Sequence, residues 1–144
     1  GLWHVAGEQG RTDVCEYLKS KGLLDLINGL GRSGWGPLHH AIDYGKEEAA
    51  RWMMDNGADI NAVEYYSEHS VLHLACKSTS PSFVEELAGK VAPELLTMRS
   101  HGDGESPMQE AFMRNPDWLA IVRMLILRGV PVIPEDFPAT TYGE

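Results

Sequence analysis

Six histidines are the residues of this chain best able to do chemistry, and three of them recur at a fixed interval. His4 and His39 lie 35 residues apart, His39 and His73 lie 34 apart, and Gln109 stands 36 beyond His73. A ligand set or catalytic set converges in space and has no reason to track a repeat. The interval therefore predicts a structural imidazole at His4, His39 and His73. His39 and His40 are adjacent, but neighbours on a helix do not face the same way. Cys15 and Cys76 are the only cysteines and lack the short spacing of a zinc site. No metal is expected on these grounds. The G-x-S-x-G, H-E-x-x-H and G-x-x-x-x-G-K patterns are all missing, so no catalytic residue and no cofactor is predicted. Gly29-Leu30-Gly31-Arg32-Ser33-Gly34 resembles a phosphate loop only superficially, having no Lys and no strand-to-helix setting. Glu47-Glu48 and Glu85-Glu86 read as solvated helix faces.

The elements that carry these histidines share one plan. Around His39, Leu38, Ala41 and Ile42 recur at helical spacing, Pro37 suits a first helical turn, and Gly45 suits a left-handed stop. A second helix over residues 46–55 follows, with Ala49, Ala50, Met53 and Met54 available for burial, and Asn56-Gly57 ends it. The segment around His4 repeats the plan, with Gly10 and Gly22 as stops. Its connection, Leu23 to Trp35, is irregular, and Leu26 and Ile27 are expected to tuck beneath it. Around His73, Ser78 to Ser82 supplies a turn and a cap for a helix with Phe83, Val84, Leu87 and Val91 on its stripe. Pro93 then interrupts, and an extra helical turn is expected over residues 94–98. The fourth unit has Met108, Ala111 and Phe112 on its first helix and an apolar second helix from Trp118 to Arg128. The Pro-containing tail should be extended, and either it or a further segment should cover that helix.

Gly36-Pro37-Leu38-His39-His40-Ala41, with Gly57-Ala58-Asp59-Ile60-Asn61-Ala62 after it, resembles an ankyrin repeat. Further copies begin at Leu2-Trp3-His4-Val5-Ala6, Ser70-Val71-Leu72-His73-Leu74-Ala75 and Ser106-Pro107-Met108-Gln109-Glu110-Ala111. The resemblance implies an all-α solenoid of stacked helix-turn-helix units with short finger loops. Four repeats are expected over residues 1–33, 34–67, 68–103 and 104–133, with a tail over 134–144. It also implies a non-catalytic module that binds a protein or peptide on its concave face of fingers and first helices. The finger positions carried over are Trp35, His69 and Glu105, with tips at Arg32 and Ser33, at Tyr65 and Tyr66, and at residues 101–103. The ends of the first helices add Asp43, Tyr44, Lys77 and Arg114 to the expected partner-binding set.

Among these, Trp35, Tyr44, Tyr65 and Tyr66 carry the strongest functional signal, because Trp and Tyr are enriched at interface hot spots. Trp52 and Trp118 fall on second helices and read as packing or outer-face residues. With 144 residues, the chain suits one domain. Its net charge of −9 argues against nucleic acid as a partner. No apolar run is long enough for a membrane helix, and two cysteines fit a cytoplasmic or nuclear setting. The abrupt opening on repeat sequence points to a piece of something longer. Two other readings follow: a regulatory ankyrin domain from a larger enzyme or channel, and a substrate for hydroxylation at Asn61.

Overall fold

The computed structural model describes residues 1–31, 34–64 and 66–137. Arg32, Ser33, Tyr65 and the last seven positions lie outside the described residues, so the finger-tip expectation for the first three is not addressed. Among the described residues eight α-helices follow in pairs: α1 (Leu2–Gln9) and α2 (Thr12–Ser20), α3 (Pro37–Asp43) and α4 (Glu47–Asp55), α5 (Val71–Ser78) and α6 (Pro81–Ala88), α7 (Pro107–Arg114) and α8 (Trp118–Leu127). The inner helices stack in order, α1 on α3 on α5 on α7, while α2 packs on α4 and α6 on α8. The fold is an all-α solenoid.

Local chemistry explains the helix limits. Pro37, Pro81 and Pro107 open their helices, where a missing amide hydrogen leaves no bond unmade. Ser70, Ser80 and Ser106 accept from the backbone N–H three residues on, capping α5, α6 and α7. Gly10 stops α1 at a φ of 69°, in the left-handed region. Gly7 is needed for a different reason. A Cβ there would stand 2.6 Å from the Pro37 carbonyl oxygen, so its absence sets how closely α1 and α3 approach.

One continuous core runs down the stack. Leu38, Ile42, Leu72, Phe83, Leu87, Met108, Ile121 and Leu125 are all buried in it. Cys15 and Cys76 are buried free thiols there, and burial pushes both pKa values up, Cys15 to about 11. Neither is primed as a nucleophile.

Two expectations need correction. Ile27 is buried at 4% exposure, but Leu26 is 58% exposed, because the 3₁₀ turn Leu24–Leu26 points it outward. The tail is not simply extended: Pro134–Asp136 forms a 3₁₀ turn, and Arg99 ties it back through Asp136 at 2.6 Å. The described part of the tail lies beside Trp118 and Val122 of α8, through Val132, Pro134 and Phe137. Phe137 meets Phe112 at 5.1 Å, while Leu119, Ile126 and Leu127 stay exposed. The short turn over Pro93–Leu96 matches the extra turn expected there.

Candidate functional site

The repeated imidazoles join the inner helices to the fingers. Nδ1 of His39 accepts from the Gly36 amide at 3.2 Å, and Nδ1 of His73 accepts from the Ser70 amide at 3.2 Å. Nε2 of His73 meets the Glu105 carbonyl oxygen at 2.9 Å, and Nε2 of His4 meets that of Trp35 at 3.0 Å. Nε2 of His39 is buried and has no hydrogen-bond partner among the described residues. Burial lowers the His39 pKa to about 4 and lowers that of His73 as well. Asparagines make a second bridge between units: Oδ1 of Asn28 accepts from the Asp59 amide at 2.8 Å, and Oδ1 of Asn61 from the Ala92 amide at 2.7 Å.

A hollow of about 320 Å³ opens on the face made by the fingers and inner helices. Its wall includes Trp35, His69, Lys77, Glu110 and Arg114. Of the carried-over positions, Trp35, His69, Lys77, Asp103 and Arg114 border one space, and Glu105 adjoins it through Arg114 at 2.7 Å. Trp35 packs on the His39 and His40 rings at centroid distances of 5.9 and 5.3 Å, leaving it half-buried. Lys77 pairs with Asp43 at 2.6 Å, joining α5 to α3. Tyr44 and Tyr66 are exposed at 54% and 67%. Of the two tryptophans on second helices, Trp52 packs against Trp3 and donates to Glu16, and Trp118 packs against Phe112.

The far wall of the hollow holds an acidic nest around His69. Glu64 is 2% exposed. Burial alone would raise its pKa, but the Ser67 hydroxyl and the amides of Tyr66, Ser67 and His69 outweigh that and hold it below the usual range. Burial would likewise raise the Asp103 pKa, yet the Ser100 hydroxyl and the Glu105 amide keep it low. Glu110 behaves oppositely. It is 4% exposed on α7, and burial and the neighbouring Glu105 carboxyl drive its pKa well up, against the pull of Arg114.

Sequence reasoning missed Glu64, Ser67 and Glu110. A weak signal for Glu110 was present: it occupies the position held by Val5, His40 and Leu74 in the other copies, of which Leu74 is buried, His40 half-buried and Val5 exposed.

Paired helices stacked inner on inner, with fingers bridged by repeated His and Asn, define a helical-repeat scaffold. The model for ankyrin repeats in three copies matches residues 2–64, and the chain is an ankyrin-repeat protein. Mouse protein phosphatase 1 regulatory subunit 12A is 42% identical over 108 residues, which is 75% of this chain and 10% of that protein. An ankyrin repeat protein of vaccinia virus is 28% identical over 118 residues, 81% of this chain and 18% of its own length. Mouse NF-kappa-B inhibitor delta is 24% identical over 149 residues, covering 88% of this chain and 46% of the relative. The chain therefore spans less than half the length of each. No helix among the described residues is long and apolar enough to cross a membrane.

Proposed function

We propose that this chain is a non-catalytic interaction module that docks a protein or peptide across its fingers and inner helices. The observation that carries the reading is the hollow between Trp35 and Arg114, where side chains from three successive repeats meet. Trp35 lines it, Tyr44 and Tyr66 add exposed rigid area elsewhere on the proposed face, and Asp43, His69, Lys77, Glu105 and Arg114 supply charge and hydrogen bonds. Tyr65 belongs to the same proposed set by its position beside Tyr66. Four repeats over residues 1–133 provide the scaffold, with boundaries near 33, 67 and 103. The relatives' names, a phosphatase regulatory subunit and an NF-kappa-B inhibitor, support a regulatory part played through protein contact. The two free cysteines favour the cytoplasm or nucleus.

The test is direct binding of the purified chain to the protein phosphatase 1 catalytic subunit and to NF-kappa-B dimers. Trp35→Ala and Tyr66→Ala should each weaken the productive pair by about 30-fold, the equivalent of about 2 kcal/mol for a hot spot. Unchanged affinity in both variants removes this face from consideration, and failure of both partners leaves neither relative's role transferable.

A further inference from the structure

His69 does not merely border the hollow. Its Nε2 lies 3.4 Å from Oε1 of Glu110 and 3.6 Å from Oδ2 of Asp103. One donor atom from each of the three falls within 4.8 Å of the others.

The proton inventory around the ring determines what Nε2 offers. Glu64 accepts backbone N–H bonds from Tyr66 at 3.1 Å and Ser67 at 2.5 Å, and both need an acceptor. The single Ser67 hydroxyl proton also goes to Glu64, in a short contact. Ser67 Oγ can then only accept from His69 Nδ1, 2.6 Å away. In the neutral imidazole this leaves the Nε2 lone pair aimed at two carboxylate oxygens. Three lone-pair donors facing one another repel unless a cation lies between them.

The spacing distinguishes a proton from a metal ion. A charged N–H bond to a carboxylate closes to about 2.7–2.9 Å. Zinc bonds of about 2.0–2.2 Å to nitrogen and oxygen, arranged tetrahedrally, place neighbouring donors about 3.3–3.6 Å apart. The observed 3.4 and 3.6 Å match the second case. Each donor is also held from behind. Ser67 and Glu64 fix the ring, Arg114 holds Oε2 of Glu110 at 3.1 Å, and the Glu105 amide holds Oδ1 of Asp103 at 3.0 Å. Such outer partners orient metal ligands. One imidazole and two carboxylates would also neutralise a dication.

We propose that His69, Asp103 and Glu110 form a binding site for one divalent transition-metal ion, zinc by preference. The fourth coordination position opens into the hollow, where water or a donor atom of a docked partner completes the tetrahedron. The inference does not rest on the partner-docking reading, because metal binding is measured on the chain alone.

Chelator-stripped protein titrated calorimetrically with zinc chloride should take up one ion per chain. The cobalt form should show the visible absorption of tetrahedral coordination. Asp103→Asn, on an exposed finger, and Glu110→Gln, nearly isosteric, should each abolish that stoichiometry while helical circular dichroism is retained. Ser67→Ala should weaken binding by about 10–100-fold, and His101→Ala should leave it unchanged. The inference is overturned if wild-type protein shows no saturable uptake. It is equally overturned if uptake survives Asp103→Asn. Should Glu110→Gln unfold, Asp103→Asn alone decides.

Discussion

The finger-and-inner-helix face is two surfaces on one scaffold. Over the first two repeats it is aromatic: Trp35 lies against His39 and His40, His40 meets His4 edge-on at 5.5 Å, and Tyr44 is exposed at the end of α3. Over the last two it is ionic: His69 lies 3.4 Å from Glu110 and 3.6 Å from Asp103, Arg114 reaches Glu105 and Glu110 at 2.7 and 3.1 Å, and Glu64 adjoins His69 from the end of the second repeat at 3.9 Å. The two central inner helices beneath are equivalent, with Leu38-His39 under one half and Leu72-His73 under the other. The contrast teaches that this fold separates its two tasks by position. Residues pointing into the stack fix stability, and those beside them at the fingers are free to differ in chemistry.

If that separation holds, core truncation should be indifferent to the surface above it. Leu38 and Leu72 occupy the same place in successive repeats and are 4% and 0% exposed. Leu38→Ala and Leu72→Ala should each cost about 2–5 kcal/mol through the cavity left behind, measured by urea unfolding. A loss at one site and none at the other would mean that the halves differ in scaffold as well as in face.

Acid should act on the scaffold histidines of both halves. The folded-state pKa of His39 is depressed to about 4, from an ordinary value of 6.5, because burial disfavours the imidazolium. Above pH 6.5 both folded and unfolded states are neutral there, and the group contributes no pH dependence. Between pH 6.5 and 4 the unfolded state takes up a proton that the folded state refuses, so stability falls as pH falls. The loss approaches about 3 kcal/mol once pH drops below the folded value. His39→Asn should flatten that part of the stability–pH curve. An unaltered curve would assign the acid sensitivity to other groups.

How much of this was legible in the sequence follows from the same separation. The His interval, Pro37 and Pro107, and the glycine stops are local and periodic, so helices and repeat plan could be read directly. Leu26 could not be placed, because a 3₁₀ turn in an irregular finger overrides an apolar pattern. The exposed outer residues of α8 escaped for a related reason, since a proline-rich tail does not announce what it packs on. The acidic nest was the least legible. Glu64, His69, Asp103 and Glu110 come from two fingers and a helix, and only the stacking brings them together. His69 entered the expected set through its finger position and Asp103 as a finger tip, yet their meeting with each other and with Glu110 was invisible without the fold.

The smallest effect concerns the seam between the two surfaces. Lys77 on α5 reaches Asp43 on α3 at 2.6 Å, with both side chains partly open to water. Its Coulomb energy is screened there, and fixing a long lysine side chain opposes it, so the pair should stabilise by only about 0.2–1 kcal/mol. Lys77→Met keeps the apolar stem and removes the charge, whereas Asp43→Asn removes the other partner and keeps the shape. A double-mutant cycle of these two, at low and at physiological salt, measures the coupling directly. A coupling near zero would make the seam a passive junction, and the two surfaces could then be exchanged independently. A coupling well above 1 kcal/mol would show that the aromatic and ionic halves are electrostatically linked. In that case charge changes in the nest should be felt at Trp35.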